Sequence, residues 1–114
     1  MKFSESLKKT SDFQVVYKER KSKANKYLIM YVHKNNLEIN RIGISCSKKV
    51  GNSVIRHRMA RLIRESYRLH EECFNIGLDI VVVVRPSAKD INYQKMNSAL
   101  MHLANLHHIT KRKN

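Results

Sequence analysis

The chain has 114 residues, enough for a single domain with its own core, and its 23 Lys and Arg against nine Asp and Glu give a formal charge of +14. A net charge of about 2–8 serves solubility in a small domain, so the excess points to a polyanionic partner, and nucleic acid gains further from counterion release. No run approaches the roughly 18 apolar residues of a membrane span, no signal-peptide pattern opens the chain, and one Pro and three Gly leave no room for a low-complexity linker or a Gly-rich phosphate loop.

Residues 1–10 are polar and basic and are expected to be flexible. Ser11 with Gln14 matches a capping box opening a short helix, with Phe13, Val16 and Tyr17 on one face. A basic tract at 18–26, with room for one short strand, leads to an alternating run at 27–33. Its even positions are aliphatic and its odd positions include Tyr27, Tyr31 and His33. Three Asn between 34 and 40 predict a turn. The chain then returns as a strand at 41–47, where Ile42, Ile44 and Cys46 alternate with Arg41, Gly43, Ser45 and Ser47. These two strands are expected to pair as a hairpin. Asn52 or Ser53 caps a long helix running to about residue 74, which Gly77 ends. Residues 79–84, Asp-Ile-Val-Val-Val-Val, predict a central strand stopped by Arg85 and Pro86. Asn92 caps a last helix whose Met96, Leu100, Leu103 and His107 line one face, and residues 110–114 are expected to fray. Cys46 and Cys73 both fall on apolar faces and read as small buried hydrophobes rather than a disulfide, which suits a reducing compartment.

Residues 48–68 hold seven of the cations. On a wheel that starts at Ile55 and advances 100° per residue, Met59, Leu62, Ser66, Leu69 and Cys73 fall within about 40° of the start and predict the buried seam. His57, Arg61, Arg64 and Arg68 lie roughly opposite, with Arg56 and Arg58 on the flanks and Glu65 and Glu72 toward Arg58. A helix needing only solubility would interleave the two signs; this one gathers its arginines, whose planar forks match phosphate oxygens. Lys48, Lys49 and Asn52 stand at the helix entrance, where unpaired backbone amides add an anion site. A second expected site is the strand face bearing Tyr27, Tyr31 and His33 beside Gly43, Ser45 and Ser47, flanked by Phe13 and Tyr17. It would stack the bases of single-stranded RNA, although aromatics at i,i+4 equally describe ordinary core packing.

Catalytic and metal assignments do not assemble. His70-Glu71-Glu72-Cys73 resembles part of a zinc motif but has no completing ligands. His102, His107 and His108 do not share one helical face, and Asp79 and Asp90 have no paired carboxylate near in sequence. The expectation is no catalytic residue, no metal ligand and no small-molecule substrate on this chain.

Residues 47–64, Ser-Lys-Lys-Val-Gly-Asn-Ser-Val-Ile-Arg-His-Arg-Met-Ala-Arg-Leu-Ile-Arg, closely resemble the signature of the bacterial ribonuclease P protein subunit. Leu7-Lys8-Lys9 followed by Asp12-Phe13, the strand from Arg41 to Ser45, and residues 93–103 extend the resemblance over nearly the whole chain. It implies an α+β fold, a two-layer α-β sandwich of about four strands and three helices resembling the second domain of a small-subunit ribosomal protein. A left-handed βαβ crossover would run through the arginine helix, against the usual handedness. It also implies a non-catalytic subunit in the bacterial cytoplasm. In that arrangement a partner RNA uses Mg²⁺ to cleave the 5′ leader from precursor tRNA, and the protein itself holds no cofactor.

The resemblance assigns Lys48, Lys49, Asn52, Arg56, His57, Arg58, Arg61, Arg64 and Arg68 to the catalytic RNA, and Phe13, Tyr17 and Tyr31 to the leader. His57 stands where the family usually has Asn, and Ala60 where it has Lys, so one polar contact and one phosphate contact differ while the rest of the stripe is kept. The alternatives are a structural ribosomal protein of similar charge and a stand-alone nuclease.

Overall fold

A computed structural model describes residues 1–111. In chain order the elements are β1 (Ser4–Ser6), α1 (Thr10–Lys18), β2 (Ser22–Ala24), β3 (Leu28–Lys34), β4 (Asn40–Ser45), α2 (Ser53–His70), a 3-10 turn (Glu71–Cys73), β5 (Leu78–Val84), a second 3-10 turn (Pro86–Ala88) and α3 (Tyr93–Leu106). The strands form one mixed sheet in the order β1-β4-β5-β3-β2. The chain is therefore α+β, with five strands where about four were expected.

The expected hairpin between 27–33 and 41–47 does not form. β5 inserts between those strands, antiparallel to β3 and parallel to β4. The reason is burial: six of the seven β5 residues are buried, a demand met only by a strand flanked on both edges and covered on both faces. β3 and β4 each have one mixed face and take the flanks. α2 is then the crossover joining β4 to its parallel neighbour β5.

One face of the sheet packs on α2 and α3, where Met30, Ile42, Ile80 and Val82 meet Met59, Ile63, Tyr67, Met96, Leu100 and Leu103. The other face is covered in part by α1, through Val16 with Leu7 and Val81. The sandwich thus has a partial third layer. α1 begins at Thr10, so the Ser11–Gln14 capping box does not form; Lys9 occupies the cap position without a side-chain bond, and Asp12 sits in the first turn. Asn52 and Asn92 do cap α2 and α3, accepting from the amides of Ile55 at 3.0 Å and Lys95 at 2.9 Å. α2 ends at His70 rather than near residue 74. Gly77, with φ +91°, shapes the turn into β5, where a Cβ would lie 3.0 Å from the Leu37 carbonyl oxygen.

The first ten residues are built into the fold instead of trailing from it. β1 pairs with β4 in parallel, the Leu7 amide donates to the Ile42 carbonyl at 2.8 Å, and the buried Glu71 carboxylate accepts from the Lys2 and Phe3 amides at 2.8 and 3.3 Å. Burial pushes the Glu71 carboxyl up, but hydrogen bonds from Ser4 and those two amides outweigh it and hold the group below the ordinary carboxylate range. At the other end the tail expected to fray over 110–114 is tied down at its start, since Thr110 bridges to Phe74 and the Lys111 amide donates to Cys73 O at 2.7 Å; residues 112–114 lie outside the described residues. Cys46 and Cys73 are both free and half-buried.

Two polar ties lock α2. Fully buried Asn40 accepts from the Leu78 amide at 3.0 Å and donates to Asn75 O at 2.8 Å and to Tyr67 Oη at 3.2 Å. Ser66 Oγ donates to Asn97 Oδ1 at 2.6 Å, joining α2 to α3.

Glu71→Ala should lower stability at pH 7 by about 1–2 kcal/mol. Because the folded carboxyl is held low, its contribution is full above the unfolded value and vanishes as pH falls through the folded one. Thermal melts of the two proteins should therefore begin to approach one another as pH falls through the ordinary carboxylate range and converge only below the lowered folded value. A Cβ on Gly43 would lie 2.6 Å from Phe13 Cζ, so Gly43→Val should force α1 off the sheet at a cost of about 1–3 kcal/mol in urea unfolding.

Candidate nucleic-acid interface

On α2 the buried side is Met59, Ile63, Ser66 and Tyr67. It is rotated about 60° from the expected seam: Leu69 is exposed, and Ile55 and Leu62 lie at the margin. The opposite side keeps its predicted occupants, since His57, Arg58, Arg61, Arg64 and Arg68 are all exposed. They are not equally available. Arg58 Nη2 donates to the Ile91 carbonyl at 3.1 Å, and Arg68 forks onto Glu65 at 2.5 and 3.2 Å. That hydrogen-bonded pair raises the Arg68 pKa and lowers that of Glu65. His57, Arg61 and Arg64 therefore form the open centre of the stripe.

Arg56 sits apart from this row. It is half-buried near Cys46, and its Nε has no hydrogen-bond partner among the described residues. Burial pushes the Cys46 thiol up while the Arg56 charge opposes it, with burial dominant. Lys48 and Lys49 are exposed in the turn before α2, whose first turn contains no acidic residue, so the helix dipole and two ammonium groups reinforce one another there. Asn52 spends its side-chain oxygen on the cap.

The second site is built by register. Three rows cross the α1 face of the sheet: Glu5, Arg41, Asp79 and His33; then Gly43, Val81, Tyr31 and Ser22; then Ser45, Val83, Ile29 and Ala24. α1 lies over the first two. Arg41 forks onto buried Asp79 at 2.8 and 2.6 Å and reaches Asp12 of α1 at 3.6 Å; the hydrogen bond to Asp79, opposed by burial, raises the Arg41 pKa. At the other end of α1, Glu19 lies 2.9 Å from His33 Nδ1, within ion-pair distance but not aligned as a hydrogen bond, so this is the weaker of the two clips. Between these clips Phe13 rests on Gly43, and Tyr17 meets Tyr31 edge-on with ring centroids 4.9 Å apart. Phe13 and Tyr17 are 6.4 Å apart.

The three predicted aromatics thus come together, half-buried, and serve both packing and surface. The third row is the open part of the cleft, and its apolar Val83 and Ile29 were missed by sequence reasoning. So were the clips, although Asp12 and Glu19 on one face of an otherwise basic segment were a readable signal. Tyr27 does not join this cleft. It precedes β3, packs against the main core and lies beside α3. Ser47 lies beyond the end of β4.

Three of the residues weighed for other chemistry, Asp79, His70 and His107, have structural partners. Asp79 also accepts from Asn35 at 2.9 Å, His70 Nδ1 lies 2.9 Å from Ser66 O, and His107 Nε2 donates to Met30 O at 2.8 Å. Burial lowers the His107 pKa.

The family model for ribonuclease P matches residues 1–107. The ribonuclease P protein component of Lachnoclostridium phytofermentans is 65% identical over 106 residues, spanning 93% of this chain and 91% of that protein. That of Alkaliphilus metalliredigens is 52% identical over 103 residues, spanning 90% and 93%. The solved RNase P protein of Staphylococcus aureus superposes with a TM-score of 0.86 at 34% identity, covering 93% of this chain and 97% of that one. With the arginine stripe and the aromatic cleft in place on this fold, the chain belongs to the family of the bacterial ribonuclease P protein component.

Proposed function

We propose that this chain, as the protein component of ribonuclease P, grips the catalytic RNA with the exposed face of α2 and receives the 5′ leader of precursor tRNA between α1 and the sheet. The observation behind this reading is the two-sided placement: an open cationic row on one helix, and on the opposite face of the sheet an aromatic-lined cleft. Stacking on Tyr17 and Tyr31 is worth about 1–3 kcal/mol per base and tolerates any base, as a variable leader requires. Lys48, Lys49, Asn52 and Arg56 would contact the RNA around the entrance to α2, and Arg58 and Arg68 at the edges of the row.

In this reading the partner RNA breaks the phosphodiester bond with Mg²⁺, and the protein supplies no acid, base or metal ligand. Its work is electrostatic: cations between two RNAs lower phosphate repulsion and favour Mg²⁺ occupancy at low bulk concentration. We take it to work in the bacterial cytoplasm, where precursor tRNA is made. The family assignment argues against a structural ribosomal protein, and a stand-alone nuclease would keep its activity after the RNA is removed.

Precursor tRNA cleavage by the cognate RNA at low Mg²⁺ should rise on adding this chain; no stimulation would overturn the reading. Arg61→Glu should weaken RNA assembly and reduce the salt slope of binding by about 1. Tyr31→Ala should leave assembly intact and loosen precursor but not mature tRNA; equal loss for both substrates would remove the leader from the cleft.

A further inference from the structure

The basic residues are not confined to α2. On the side of the sheet that carries α3, two hollows lie between that helix and the edge strand β2 with its following turn, and together they make a β2–α3 groove. At one end Tyr27 and Lys26 face Lys95 and His102 across a hollow of about 280 Å³. At the other, Lys21 and Lys23 face His107 and His108 across about 430 Å³. The groove follows about 16 Å of α3, and among the described residues no carboxylate lines either hollow.

Asn25 lines the first hollow. Its Oδ1 accepts from the Tyr27 and Leu28 amides at 3.1 and 3.0 Å, which fixes the side-chain amide. Nδ2 therefore donates to Ala99 O at 3.0 Å and to His102 Nδ1 at 3.2 Å. Nδ1 must then be an acceptor, leaving Nε2–H as the donor of an exposed ring. Beside it Tyr27 is half-exposed with Lys26 Nζ 5.5 Å from its ring centroid. An aromatic face, adjoining ammonium groups and an outward N–H donor are the parts from which sequence-tolerant single-strand sites are made. A merely soluble surface would mix in acids.

We propose that the β2–α3 groove is a further single-stranded RNA site, with Lys23 and Lys95 on phosphates and Tyr27 under a base, separated by the sheet from the cleft under α1. Two sources share this chemistry: the far part of a precursor leader, and an unpaired stretch of the RNA subunit.

The test begins with the full-length chain and a fluorescent oligouridine titrated over a salt series. Lys23→Glu and Lys95→Glu should each weaken binding about fivefold and flatten the slope of log K against log salt by about 0.7. Lys89→Glu, the same charge change at an exposed residue outside the groove, should stay within about twofold. If the three variants behave alike, the proposal fails. In ribonuclease P reconstituted with Lys23→Glu or Lys95→Glu, precursors with leaders of about 4 and about 16 nucleotides separate the sources. Weakening confined to the longer leader assigns the groove to the leader, equal weakening assigns it to the RNA subunit, and wild-type affinity for both overturns the proposal. Tyr31→Ala in the same series reports on the α1 cleft independently, so either reading can fall without the other.

Discussion

A strand exposed to water at Val83 alone organises this molecule. β5 buries six of its seven residues, and at about 1.5–3 kcal/mol for each large aliphatic side chain that burial outweighs any single polar contact in the fold. It requires neighbours on both edges and cover on both faces. α2 and α3 supply one cover and α1 the other, but α1 is short and leaves the row of Ser45, Val83 and Ile29 open. The cleft is therefore what remains when a nine-residue helix covers a sheet that runs past it. Asp79, buried within the same strand, would be costly unpaired. Its partner Arg41 reaches onward to Asp12, so the ion pair that makes β5 tolerable also seats α1.

The orientation of α2 about its own axis follows from a few polar contacts as much as from hydrophobic area. Tyr67 is held by Asn40 and by Ser4, with its hydroxyl 2.6 Å from Ser4 Oγ, and Ser66 is held by Asn97. These contacts select which part of a broad apolar arc faces inward, and thereby which arginines face outward. Burial keeps the Tyr67 hydroxyl protonated against the pull of its two hydrogen-bond partners, raising its pKa, so the tie persists as a neutral donor-acceptor.

Local pattern was enough to read β3, β4, β5 and the three helices, because each has a clear period or a cap. Partner choice was not readable in the same way. Nothing within 27–33 or 41–47 says that a strand some forty residues later will separate them; only the doubly buried character of 79–84 hints at it. β1 was illegible because Ser-Glu-Ser has no alternation to detect, and its place depends on a carboxylate 67 positions after Ser4, at Glu71. The α2 wheel missed its centre because Tyr67 was outside the narrow seam, although its hydroxyl has buried partners. Of the candidate sites, the cationic row and the three aromatics were legible from charge segregation, spacing and family resemblance. Tyr27 was misplaced because it precedes β3, where alternation no longer dictates direction.

The pairing of Arg68 with Glu65 has a consequence for which anions the α2 surface prefers. A lone phosphate that captured Arg68 would have to displace a carboxylate already seated in the guanidinium fork, exchanging one exposed ion pair for another with little gain. A polymer already anchored on Arg61 and Arg64 presents its next phosphate at high effective concentration and wins that exchange. For an RNA bound as proposed, the internal pair would act as a threshold, disfavouring lone small anions and rewarding ligands whose charges arrive in series.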